Sequence, residues 1–148
     1  MDIVEELESE RRARLAADPS LATPATEECL RLDGPSGSMA RLVAEDHELH
    51  GQMLKAGDRV FAMINAANQD PRAFDRPAEF DMTRERNRHL TFGYGPHFCI
   101  GAALARLEGE VAFPNLCARF PEMALAGPLV WHETMIMRGL RKLPAHLK

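Results

Sequence analysis

Apolar positions in this chain switch between helical and strand spacing, and the switches mark its elements. Residues 2–17 read as a charged helix that Asp18-Pro19-Ser20 breaks. Thr23 as N-cap with Pro24 at the first helical position predicts a second helix to about Leu32. Asp33-Gly34-Pro35-Ser36-Gly37 follows as a loop. Residues 41–45 and 47–50 predict a short hairpin around Glu45-Asp46, and Asp58–Asn65 a strand leaving a Lys55-Ala56-Gly57 turn. Leu104, Leu107 and Val111 share one face of a helix predicted over about 101–119. Short strands near 129–132 and 136–141 close the chain. The expected class is mainly α with small β hairpins, α+β. The long helix carries a local conflict. Pro114 removes a hydrogen bond at a cost of ~3 kcal/mol. Gly109 weakens the same helix by about 1 kcal/mol. A kink or stop is expected near Phe113.

The chemistry concentrates just before that helix, in Phe92-Gly93-Tyr94-Gly95-Pro96-His97-Phe98-Cys99-Ile100-Gly101. Gly93, Gly95 and Gly101 permit backbone angles that side chains forbid, and Pro96 fixes another. The loop can therefore fold tightly and approach a flat ligand. Cys99 falls at a helix N-terminus, where free N–H groups and the macrodipole favour an anionic sulfur. A thiolate so placed suits a metal, and the details of the loop point to haem iron. Thiolate ligation pushes electron density onto haem iron and favours O–O cleavage. His97 is positioned to pair with an anionic cofactor group. Zinc needs about three or four clustered ligands, and Cys99 with His97 supplies two. A nucleophilic cysteine needs a positioned base, a role open to His97 or His89, but that role leaves the glycines without a purpose. Cys29 and Cys117 read as small buried hydrophobes.

The ten-residue loop resembles the haem-binding signature of the cytochrome P-450 (haem-thiolate monooxygenase) family. Its six fixed positions all match, as Phe92, Gly93, Gly95, His97, Cys99 and Gly101. Glu28-Cys29-Leu30-Arg31 resembles the family's Glu-x-x-Arg pair on its K helix. Asn68 to Asp81, with Pro71, Phe74, Pro77 and Phe80, resembles its meander. The resemblance runs from about Arg14 to Leu147 and is nearest the soluble bacterial branch. It implies the C-terminal haem-binding portion of the fold over residues 1–148: K helix, meander, cysteine loop, L helix and terminal strands. Haem b (iron protoporphyrin IX) is the implied cofactor, with Cys99 as axial ligand to the iron and Phe92, Gly93 and Gly101 as further cofactor-binding positions of the loop. Arg41 and His97 are the implied partners of the haem propionates. Glu28 and Arg31 are implied to form a buried ion-pair network, completed by His89 or Arg84, that fixes the loop. The implied reaction inserts one oxygen atom of O2 into a small organic substrate, using electrons from a ferredoxin- or flavodoxin-type donor. The strand around Ala62–Ala66 and the turn near Met135–Met137 are the segments expected to touch that substrate. The family fold needs roughly 400 residues, about three ordinary domain lengths. The N-terminal two-thirds, with the distal helix and its acid-alcohol pair, is therefore expected to be absent, and no Ala-Gly-x-x-Thr run occurs here. A haem-binding or inactive fragment without turnover of its own is the alternative, and its helices are expected to expose apolar faces.

Charge and cysteine usage narrow the remaining classes. A net charge of −4 and a pI near 5.9 argue against a nucleic-acid partner. No apolar stretch approaches the roughly twenty residues of a membrane helix. The start Met1-Asp2-Ile3-Val4-Glu5-Glu6 lacks the basic and apolar parts of a signal peptide. Three scattered cysteines do not suggest disulfides, so the chain reads as cytoplasmic.

Overall fold

The computed structural model describes residues 9–134 and 136–148. Residues 2–8 of the first predicted helix, and Met135, lie outside them. Helix α1 spans Ser9–Ala17, and a 3-10 turn at Pro19–Leu21 leads directly into α2, Ala22–Asp33. The break at Asp18 is a cap: its carboxylate accepts the Ser20 amide at 3.0 Å. The predicted start of α2 shifts accordingly. Leu21 is the N-cap, and Pro24 lies in the first turn, where its missing N–H has no helical partner to lose.

The predicted hairpin around Glu45-Asp46 is replaced by two other pairings. Strand β1 (Ser38–Leu42) pairs antiparallel with β4 (Arg59–Met63), placing Met39 opposite Ala62 and Arg41 opposite Val60. Strands β2 (His47–Leu49) and β3 (Gln52–Leu54) form the tight hairpin. Its turn is His50-Gly51, with φ of 48° and 78°. Two consecutive positive φ values match the twist of a two-residue hairpin, which a turn at Glu45-Asp46 would not. Asp46 instead accepts the Ala56 amide at 2.8 Å and the Lys55 ammonium at 2.8 Å, tying the two ends of the ribbon.

The strand after Gly57 ends at Met63, and a one-turn helix α3, Ile64–Ala67, takes the segment expected to finish as strand. Residues 68–94 contain no helix or strand. Helix α4, Ala102–Arg119, runs through Pro114 without stopping. Two features sustain it. Phe113 and Cys117 pack into the core shared with α1 and α2, and the Asn115 side-chain amide donates to the Val111 carbonyl at 2.6 Å. Gly109 has a positive purpose there. A Cβ at that position would stand 2.6 Å from Thr26 Cγ2, so the glycine makes room for α4 to pack against α2 there. Strands β6 (Val130–Trp131) and β7 (Leu140–Lys142) pair as expected, and β5 (Ala124–Leu125) with β8 (Ala145–His146) adds a pair that was not read from the sequence. The architecture is helical with small antiparallel sheets.

The core lies between α1, α2 and α4, around Leu15, Ala25, Cys29, Leu32, Phe80 and Cys117. Cys29 and Cys117 are both buried, and neither is in a disulfide. Leu104, Leu107 and Val111 point the other way and are more than half exposed, at 60%, 57% and 56%. No described helix is long and apolar enough to cross a membrane.

Candidate functional site

Helix α2 carries two consecutive glutamates that serve different parts of the site. Glu28 and Arg31, one turn apart, are fully buried. Arg31 donates through Nε and Nη2 to the two Glu28 oxygens at 2.7 and 2.9 Å. Its remaining donors reach the carbonyls of Asn68 at 3.0 Å, Pro77 at 2.6 Å and Glu79 at 3.0 Å. All five guanidinium N–H groups are thus used. The Phe74 ring covers the group, 5.3 Å from Cζ. Glu28 also accepts the Asp81 amide at 3.0 Å, Arg84 Nε at 2.9 Å and the Asn87 amide at 3.0 Å. A buried ion pair is tolerable only when its lone pairs and protons are satisfied, as they are here. The irregular segment from Asn68 onward is therefore ordered by side-chain bonds to one helix.

Of the two completions expected from the sequence, Arg84 is the one that reaches Glu28. His89 goes to the neighbouring Glu27, with Nε2 to Oε2 at 3.0 Å. Arg106 of α4 joins the same carboxylate at 2.6 and 3.1 Å. Burial pushes the Glu27 carboxyl up, but the hydrogen bonds from His89 and Arg106, with the Arg106 charge, outweigh it and hold it at about 2. Asn87, Asn68 and Thr91 were not singled out from the sequence. Asn68 donates to Thr91 Oγ1 at 3.0 Å and accepts the Leu90 amide at 2.7 Å, while Thr91 donates to the Leu30 carbonyl at 2.6 Å. Asparagine next to a proline-rich stretch gives no distinguishing pattern. Only its burial reveals the role.

The cysteine loop is mounted on this scaffold. Gly93 and Gly95 adopt φ of 76° and 77°, the left-handed region that side chains avoid. Gly95-Pro96-His97 makes one 3-10 turn. The Cys99 amide donates back to the Phe92 carbonyl at 2.9 Å, closing the loop on itself. Gly101 is the N-cap of α4, and a Cβ there would face Cys99 Sγ at 3.8 Å. Cys99 is exposed, unlike the other two cysteines. Around it Tyr94, Phe98 and Ile100 are exposed as well, Ile100 at 104%. Among the described residues no three His, Cys, Asp or Glu side chains cluster to hold a bare metal ion.

His97 is exposed in the turn before Cys99. Arg41 is exposed on β1, its guanidinium donating to the Ala40 carbonyl at 2.8 Å. Residues two apart on a strand share a face. Met39, two before Arg41, has its terminal methyl 3.4 Å from where a Gly93 Cβ would stand. The face of β1 that carries Arg41 thus abuts the cysteine loop.

The chain is similar to known proteins. A family profile described as Cytochrome P450 matches residues 20–124. The polyketide biosynthesis cytochrome P450 PksS of Bacillus subtilis is 42% identical over 138 residues, covering 90% of this chain and 34% of that protein. The 6-deoxyerythronolide B hydroxylase of Saccharopolyspora erythraea is 41% identical over 138 residues, covering 91% of this chain and 34% of that protein. The solved structure of PksS superposes with a TM-score of 0.90 at 40% identity, covering 95% of this chain and 37% of that one. The chain spans about a third of the length of the curated relatives it matches. With a profile match over most of its length and this agreement in fold, the chain belongs to the cytochrome P450 family.

Proposed function

We propose that this chain is the haem-thiolate portion of a monooxygenase, with Cys99 Sγ as the axial ligand of haem b. The observation that carries this reading is the contrast among the three thiols. Cys29 and Cys117 are buried in the core, whereas Cys99 is exposed at the start of an 18-residue helix with its amide tied back to Phe92. The surroundings fit a flat, largely apolar group bearing two carboxylates. Phe98 and Ile100 are exposed beside the sulfur, Gly93 and Gly101 keep side chains away from the approach, and Arg41 and His97 supply exposed donors for propionates. When bound, haem supplies the oxygen chemistry that inserts one atom of O2 into an organic substrate.

The protein's own part is to present and orient the sulfur. The amide bond to Phe92 fixes the loop behind it. Glu28, Arg31 and Arg84 act at one remove, by locking the segment from Asn68 to Asn87 that leads into the loop. Electrons are supplied by a ferredoxin- or flavodoxin-type donor. The substrate is a small organic molecule. A cleft of about 330 Å³ is lined by Met63 and Asn65, from the first segment expected to meet it, and by Thr134 and Arg138, which flank the second.

A carbon-monoxide difference spectrum of the reduced, haem-loaded chain tests the ligand. A thiolate-type Soret band that disappears in Cys99→Ala supports the assignment, and a histidine-type band or none overturns it. The exposed Leu104, Leu107 and Val111 favour a second reading, haem binding without turnover by this chain alone. An assay with an electron donor separates the two.

A further inference from the structure

Phe92 opens the cysteine loop, and its ring is held from two directions. Arg106, on α4, places its guanidinium carbon 4.7 Å from the ring centroid. The His89 ring lies 6.0 Å away at 54°. Both holders are anchored to one carboxylate on α2, Glu27. The His89 tautomer follows from its other contact: Nδ1 accepts the Thr91 amide at 3.3 Å, which leaves Nε2–H to donate to Glu27. From Phe92 two contacts lead to the cysteine. Its ring meets Phe98 edge-on at 6.4 Å, and its carbonyl accepts the Cys99 amide. Three separate parts of the chain, α2, the approach to the loop and α4, thereby converge on the residue that backs Cys99.

We infer that Glu27 is a positioning residue for the cysteine: through Arg106 and His89 it clamps the Phe92 ring, and through the Phe92 carbonyl it fixes the Cys99 backbone. Glu28 organises the chain leading to the loop. Glu27 organises the loop itself. The clamp is a property of the bare chain. Its effect on bound iron rests on the reading of Cys99 as the thiolate ligand, because a fixed backbone fixes the direction of the sulfur.

Hydrogen exchange in the haem-free chain tests the clamp without that reading. Arg106→Lys keeps the charge beside Glu27 but removes the flat group over Phe92. Glu27→Gln keeps the shape and removes the charge. Each is expected to speed exchange of the Cys99 amide about tenfold relative to the Cys117 amide in the core, since local openings are selective. Asp70→Asn, which removes an exposed pair with Arg72, is expected to leave the ratio unchanged. An unchanged ratio in Arg106→Lys, or equal acceleration at Cys99 and Cys117, overturns the proposal, the second result because it marks a merely structural role. Loss of fold in Glu27→Gln leaves Arg106→Lys to decide. Failure of the ligand reading would instead appear in the ferrous carbon-monoxide spectrum of the unaltered chain, with the exchange ratios unaffected.

Discussion

The Arg31 network and the cysteine loop sit on the same fold and obey opposite rules. Arg31 is fully buried, uses every donor it has and carries no chemistry. Cys99 is exposed, makes one backbone bond through its amide and is the residue proposed as the haem ligand. The difference separates where stability resides from where reactivity resides. A residue can matter to a proposed site while lying behind it, and the exposed residue proposed as ligand contributes little to folding.

The largest test of this contrast is Arg31→Ala. It leaves Glu28 buried without its main partner and the Asn68 and Pro77 carbonyls without their donor, and is expected to cost about 3–5 kcal/mol. Urea unfolding followed by circular dichroism would show a chain largely unfolded in water, whereas Cys99→Ala should shift stability by less than about 0.5 kcal/mol. Comparable losses in the two variants would break the contrast.

Gly109→Ala comes next. The new methyl would meet Thr26 at 2.6 Å, so the gain of about 1 kcal/mol in helix propensity is outweighed by overpacking, for a net loss of ~1–3 kcal/mol. Pairing it with Thr26→Ser, which removes the nearer atom, should recover part of that loss in a double-mutant cycle. An additive result would mean the two helices do not touch there.

Acid titration probes the intermediate case, Glu27. Its carboxyl is held at about 2 in the folded chain against an ordinary 4.5. The folded state therefore binds fewer protons, and its contribution to stability is complete above pH 4.5 and lost as pH falls from there to about 2. Glu27→Gln should remove that part of the acid dependence. A wild-type profile in this variant would mean that other carboxylates carry it.

The smallest effect is expected at the outer face of α4. Leu107→Gln should change the urea midpoint very little, by less than about 0.5 kcal/mol, while lowering the binding of a dye specific for exposed apolar surface. A large loss of stability there would show that the face packs on something within this chain.

The same contrast decides what was legible in the sequence. The loop is a local signal: Gly93, Gly95, Cys99 and Gly101 announce themselves by spacing alone. Helix α4 was legible from its apolar period, but that period marked its exposed face. The buried face is written in Gly109, Phe113 and Cys117, which do not look like a stripe. Pro114 was overruled by packing, since propensity is a weak prior where a helix is docked on two others. The hairpin was misplaced because His50-Gly51 was not recognised as the turn pair. The roles of Asn68, Asn87 and Thr91 arise from distant partners and have no local signature. His89 against Arg84 could be decided only by geometry, because either reaches a glutamate, and the two glutamates are adjacent.

The five bonds of Arg31 have a kinetic consequence. Its carbonyl partners at Asn68, Pro77 and Glu79 lie 37, 46 and 48 residues along the chain. None is available until the polypeptide has looped back past the β1–β4 pair, so loop-closure entropy is lost before the guanidinium is satisfied. The network should therefore form late, after the barrier. Interactions absent from the transition state act mainly on the unfolding rate. Weakening this network should make the chain quicker to come apart and leave its rate of assembly nearly unchanged.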